Sequence, residues 1–382
     1  MKMGRHFIRK SFASIFILIL IITTNACEKS KYYLIDDFKK IPKTDVHLHV
    51  NTLNKKYMGF ISQYNFRVVS PNVDAGISID EQLQTASALK KSWPGKFVFL
   101  GTFTVDDFGE QGFTDNVIKR IDHCKNAGAS GIKIWKNVGM TLKDSFDEYV
   151  MIDDPRLDSI FIFMVENKIP VMGHMGEPRN CWLPLHEMND SSNYRYYKSH
   201  PEYHMYLHPE APSYKDQIDA RDNLLNKFPD LIFTAAHLGS LEWDVDEIAK
   251  RLDRFPNMNI DLSARIAHLQ YQSIIDYDKV RNFMIKYQDR IMYGTDITIN
   301  ENQTDPDAIL QRLLDRWQSN WSYLATDVTQ EINDITQPVK GLKLPKEVID
   351  KIYNTNADYF FNVREFYPTR VLSFLKDGNR EI

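Results

Sequence analysis

Thr44-Asp45-Val46-His47-Leu48-His49-Val50 is the stretch that decides how this chain is read. Side chains of a strand alternate between its faces, so on a strand predicted over Ile41–Val50 the residues Asp45, His47 and His49 share one face. Two imidazoles on one face, two residues apart, can converge on a single ion because the backbone fixes their spacing. A His-x-His pair alone carries little, since two histidines also fall on one strand face by chance. Its weight comes from what the other strands carry.

Outward from this stretch, strands are predicted at Phe66–Ser70, Lys96–Phe103, Gly131–Lys136, Pro170–His174, Leu231–His237, Met258–Ser263 and Ile291–Asp296. Helical spacing falls between them at Asn116–Ala127, Leu157–Asn167, 214–228, Trp243–Phe255 and Tyr277–Tyr287, and again at about 306–318 and 345–361. Alternating strands and helices argue for parallel βαβ units. Eight of them predict an α/β fold, a (β/α)8 TIM barrel over residues 41–365 with a peripheral tail at 366–382. Chemistry in such barrels collects at the C-terminal ends of the strands. His47, His49, His174, His237 and Asp296 all come late in their strands, and together they predict a metal site.

Lys133 shares a strand face with Trp135, while Ile132, Ile134 and Lys136 take the other. An inward lysine is costly to bury charged without a partner. Glu177, Arg179, Ser263 and Arg265 lie just past strand ends and are candidates for substrate contacts, with surface salt bridging as the plainer alternative. The connection from Met175 to Asp230 is long and aromatic, which predicts a lid-like insertion after strand five. His200, His204 and His208 within it would share a face on a helix and offer a second metal site, but Pro209 ends that run. A packed lid is the better reading.

The 382 residues carry 43% hydrophobic and 26% charged side chains, ordinary values for a globular protein. Lys2, Arg5, Arg9 and Lys10 precede the apolar run Phe12–Ile22, which is too short to span a bilayer but suits a secretory signal. A short membrane anchor is the alternative. Thr24-Asn25-Ala26-Cys27 resembles the lipobox of bacterial lipoproteins, although it lacks the usual Leu three residues before the cysteine. That resemblance implies a signal peptide at 1–26, lipidation of Cys27, a tether at 27–40, and an extracytoplasmic place at the bacterial periplasm or outer membrane. The chain after residue 26 has 43 Lys+Arg against 51 Asp+Glu, with no basic stripe, which argues against nucleic acid as a partner. Cys124 and Cys181 are expected to be free.

With these residues in place, the runs "TDVHLHV", "GHMGEP", "AHLGSLEW" and "YGTD" resemble the amidohydrolase superfamily, in the branch that holds aminocarboxymuconate decarboxylase and related lactonases. The resemblance covers about residues 40 to 365. It implies one divalent ion, most simply Zn²⁺, held by His47, His49, His174 and Asp296 with an open position for water. It also places Asp296 as the acceptor of the water's proton. His237 would polarise the substrate carbonyl, stabilise its oxyanion or bind a second ion. In binuclear relatives the lysine at the place of Lys133 is carboxylated and bridges two metals; otherwise Lys133 would meet an anionic substrate or reach toward the barrel mouth.

The sequence therefore points to a metal-dependent hydrolase of a small amide, ester or lactone, anchored to a membrane through Cys27 and able to form a homo-oligomer. Two rivals stand beside it. One is a metal-dependent non-oxidative decarboxylase of a small unsaturated or aromatic acid, with Arg179, Arg265 or Lys133 holding the carboxylate. The other is a non-enzymatic ligand-binding lipoprotein.

Overall fold

The strand predicted over Ile41–Val50 forms as two pieces, β1 (Lys43–Asp45) and β2 (Leu48–Asn51), in a computed structural model that describes residues 30–361 apart from 189, 334 and 336. The expected signal peptide at 1–26, Cys27 and the expected tail from 366 lie outside the described residues. The chain divides at Lys31, and the unit from Tyr32 onward holds all that follows.

The other strands come in the predicted order: β3 (Phe66–Pro71), β4 (Phe97–Leu100), β5 (Ile132–Ile134), β6 (Val171–Gly173), β7 (Phe233–Ala235), β8 (Met258–Asp261) and β9 (Ile291–Met292), with a further β10 (Ile297–Asn300). Parallel ladders run β1-β3-β4 and β5-β6-β7-β8-β9, and a parallel bridge between Gly101 and Ile132 joins the two sets. At the other end Val46 N donates to Tyr293 O at 2.9 Å, which carries the pairing from the last strand back to the first. The strands in this order make an α/β fold of the (β/α)8 TIM-barrel type.

Helices cover the strands because their apolar residues recur on one face. Val245–Arg254 buries Val245, Ile248 and Leu252, takes its N-cap bond from Asp244, and ends on Arg251 and Arg254, complementing the helix dipole. Phe113–Asn126 buries Phe113, Val117, Ile121 and Cys124, and Gly128 at φ +100° ends the turn after it. Cys124 and Cys181 are free and buried. No helix among the described residues is long and apolar enough to cross a membrane.

The break at Val46-His47 corrects the expectation that Asp45, His47 and His49 share a face. β1 pairs with β3, whereas β2 pairs with β10 on the opposite side, so the chain changes neighbours between Asp45 and Leu48. Asp45 turns instead to the helix Pro306–Ala325, accepting from Trp317 Nε1 at 3.0 Å and from Thr295 Oγ1 at 2.7 Å. Burial lifts its carboxyl to about 6 despite these bonds. Trp317 is fully buried and stacks on Phe66 with ring centroids 3.9 Å apart.

Residues 32–40, assigned to a tether by sequence, pack at the end of the barrel where β1 begins. Tyr33 Oη donates to Asp350 at 2.8 Å and Phe38 is buried. The insertion after β6 contains the helix Ser191–Ser199 and the 3-10 turns Pro201–Tyr203 and Met205–Leu207. His200, His204 and His208 thus share no helix face: the first stacks on Tyr196, the second on Tyr197, and the third bonds to Pro201 O.

Trp317→Phe keeps the ring on Phe66 but removes a donor from the buried Asp45. It is expected to cost about 1–3 kcal/mol, read as a lower urea midpoint at unchanged slope.

Candidate metal centre

Each site residue is delivered by the end of a barrel strand. His47 lies in the break between β1 and β2, and His49 lies on β2. His174 follows β6, His237 follows β7, and Asp296 follows β9. The four imidazoles form a continuous row: His49 to His47 at 5.2 Å between ring centroids, His47 to His237 at 4.8 Å, and His237 to His174 at 4.2 Å. Asp296 Oδ1 stands 3.4 Å from Nε2 of both His47 and His49. These three make one candidate ligand group, and His174 stands one ring further along the row.

The backbone is strained where it delivers these groups. His237 and Leu238 both have φ +59°, Ser240 has φ +56° and Asp296 has φ +63°. Non-glycine residues in this region cost on the order of 1 kcal/mol or more each, and such strain gathers at functional sites. Gly294 is required for space instead: a Cβ there would lie 2.9 Å from His47 Cβ.

Behind the row sits Asp261 at the end of β8, wholly buried. Its Oδ2 accepts from His47 Nδ1 at 2.9 Å, and its Oδ1 accepts from His237 N at 2.8 Å, from Ser263 N at 3.1 Å and from the Ser263 hydroxyl. Asp261, His47 and His237 lie close enough to be a second ligand group, but this carboxylate is already occupied by donors. Its role is orientation.

Proton positions follow from these partners. His47 gives Nδ1–H to Asp261, His49 gives Nδ1–H to Pro71 O at 2.8 Å, and His237 gives Nδ1–H to Ser263 O at 3.0 Å. All three therefore turn an Nε2 lone pair toward the barrel mouth. Burial holds His47 below its ordinary value, takes His237 to about 3 and takes His174 well below, so these three rings are neutral.

Lys133 points into the barrel and is buried, with Nζ 3.4 Å from His47 Nε2. Burial pulls its ammonium down to about 8 against the opposing pull of Asp261 and Asp296. The four candidate substrate contacts separate. Ser263 is fully buried, with its hydroxyl 2.9 Å from His47 Nδ1 and 3.1 Å from His237 Nδ1, behind the row. Glu177 pairs with Lys136. Arg179 is exposed and lies over the Trp243 ring at 4.5 Å. Arg265 is 9% exposed, at the end of the Ser263 loop.

The donor set fits a divalent ion. Nε2 of His47 and of His49 each stand 3.4 Å from a carboxylate oxygen, and the buried Nε2 of His174 has no hydrogen-bond partner. Neutral imidazole and carboxylate are ligands suited to Zn²⁺ and its neighbours. Sequence reading passed over Asp261, although it ends its strand as the other site residues end theirs.

The sequence profile of the amidohydrolase family matches residues 66–363, a range that includes His174, His237 and Asp296 and begins after His49. No curated protein matches the chain. Among solved structures it is similar to an uncharacterised TIM-barrel protein from Bordetella bronchiseptica, at 14% identity over 85% of this chain and 99% of that one, with a TM-score of 0.51. It is also similar to an amidohydrolase at 13% identity over 84% and 99%, with a TM-score of 0.50. A third is 2,6-dihydroxybenzoate decarboxylase from Rhizobium, at 14% identity over 84% and 99%, with a TM-score of 0.49. At such identities the likeness concerns the fold.

Asp261→Asn keeps the shape of the side chain but offers His47 an amide in place of an anion. Metal affinity, read by competition with a chromogenic chelator, is expected to fall about 10–100-fold.

Proposed function

Because the chain belongs to the amidohydrolase family, we propose that it is a metal-dependent hydrolase of a small amide, ester or lactone. One observation carries the reading: Asp296 Oδ1 stands 3.4 Å from both His47 Nε2 and His49 Nε2, while 34% of the Asp296 side chain remains exposed. An anionic oxygen beside a metal position and open to the mouth suits proton transfer from water.

His47, His49, His174 and Asp296 would hold the ion, which we take to be zinc. A divalent ion there supplies Lewis acidity, lowering the pKa of water from about 15.7 toward about 7. The chain does the rest. Asp296 accepts a proton from the attacking water as its oxygen bonds to the carbonyl carbon. The bond from that carbon to the leaving nitrogen or oxygen then breaks, and the proton passes from Asp296 to the leaving atom. His237, with Nδ1–H committed to Ser263 O, presents an acceptor at Nε2, suited to orient water or to bind a second ion. Lys133 in carboxylated form would bridge two ions.

The second reading, non-oxidative decarboxylation of a small unsaturated or aromatic acid, draws on the cationic Lys133 and Arg265 at the same end of the barrel. Release of CO₂ without a hydrolytic product decides for it. From the sequence at its start we also propose export and lipidation at Cys27; Cys27→Ser should then abolish labelling by an alkyne fatty acid.

Metal content and Asp296 test the main reading. One ion per chain, lost in His47→Ala, supports the single-metal form; two ions, falling in Lys133→Ala, support the bridge. Asp296→Asn is expected to lower kcat by about 10²–10⁴-fold on any amide, ester or lactone the protein turns over. Full activity in that variant would overturn the proton transfer.

A further inference from the structure

Buried arginines in this fold are normally matched. Arg221 is held by Asp222 at 2.8 Å and by the carbonyl of Gly239. Arg67 pairs with Asp358 at 2.7 Å and donates to Thr44 and Asn354. Arg265 differs. It is nine-tenths buried, yet its Nε has no partner, Nη1 makes one bond, to Ala264 O at 3.1 Å, and no carboxylate among the described residues forms an ion pair with it. A guanidinium stays charged at any ordinary pH, and a buried charge without a counter-ion is expensive.

None of the acids nearby forms an ion pair with it. Glu177 pairs with Lys136, Asp190 stands 3.2 Å from His268 and caps the helix Ser191–Ser199, and Glu242 accepts from Arg179 N at 2.8 Å through Oε1 while its Oε2 is buried without a hydrogen-bond partner. Arg265 lies two residues after Ser263, whose carbonyl holds His237. Three residues on, His268 stands 3.2 Å from Asp190 of the insertion, so Arg265 lies between the Ser263 loop and the insertion. Arg265 is also the N-cap of the helix Ile266–Ile275, which has no acidic residue in its first turn and no side-chain cap. Helix amides and a fork of guanidinium N–H groups together suit a carboxylate.

We propose that Arg265 and the N-terminus of the helix Ile266–Ile275 form a subsite for a carboxylate, so that the substrate is an acid whose carboxylate is held beside the reacting carbonyl. The subsite rests on the hydrolase reading for what happens to the rest of the molecule. Glu177, Arg179 and Ser263 lack this role: two are paired or stacked elsewhere, and the third is sealed behind the histidines.

The test uses the full chain, metal-loaded and after chelation, titrated calorimetrically with benzoate, glutarate and acetate, each against its amide. Binding of at least one acid over its amide is expected to survive chelation and to weaken about ten-fold or more in Arg265→Met. Arg265→Lys should recover part of it, with circular dichroism confirming that both variants fold. Equal binding of acids and amides, binding that vanishes on chelation, or affinity indifferent to Arg265→Met would overturn the subsite. Selective acid binding without hydrolysis of any amide, ester or lactone would leave the subsite standing and remove the hydrolase reading. Hydrolysis of neutral and acidic esters alike, unaffected by Arg265→Met, would do the reverse.

Discussion

Asp261 is the group on which the arrangement of the site depends. One oxygen holds the His47 ring and the other gathers the His237 amide, the Ser263 amide and the Ser263 hydroxyl. Burying an ionised carboxylate is unfavourable unless its lone pairs are filled, and here four donors fill them. Burial works to raise this carboxyl, yet His47 and its neighbours draw it well below the usual range. A carboxylate so fixed selects the His47 tautomer and, through Ser263, constrains His237. Ligand direction at one strand end is thereby set by the next strand but one.

The break after Asp45 has a matching logic. An unbroken strand would keep Asp45 beside His47, adding a second buried carboxylate to a crowded face. Changing neighbours from β3 to β10 sends Asp45 outward to Trp317 and Thr295, where its lone pairs are filled. The same break lets Asp296 N donate to His47 O at 2.6 Å, tying the first and last strands together at the two residues that face each other across the site. Backbone strain at His237 and Asp296 is sustained because these bonds hold their surroundings.

The barrel was legible because its signals are local. Apolar runs such as Phe97–Leu100 and the i, i+3, i+7 stripe of Val245–Arg254 are written in adjacent residues. Ile79–Ser92 was missed because its buried face includes Gln82 and relies on Leu83, Ala86 and Leu89, a thin apolar stripe. His47, His49, His174, His237 and Asp296 could be singled out because strand ends carry them, and the structure brings them together. Asp261 was not, because a carboxylate that orients histidines looks in sequence like any aspartate at a turn. Ser263 was placed on the substrate side for a related reason: which way a loop residue faces depends on Ala264 at φ +56°, and no periodicity encodes that.

Charge at the site bears on the substrate independently of the number of ions. With Lys133 as an ammonium, its one positive charge and a single divalent ion stand against Asp261 and Asp296. Carboxylating Lys133 replaces that positive charge with a negative one, and a second divalent ion then adds two positive charges. The two changes cancel, so the formal charge within the barrel is the same in both forms. Arg265 adds a further positive charge that no acid among the described residues takes up as an ion pair. Its attraction for an anion is carried by its own burial and by the helix beside it, since a low-dielectric setting strengthens whatever pair forms there. On the proposed function the metal count would govern how a carbonyl is attacked, and Arg265 which molecules bring one.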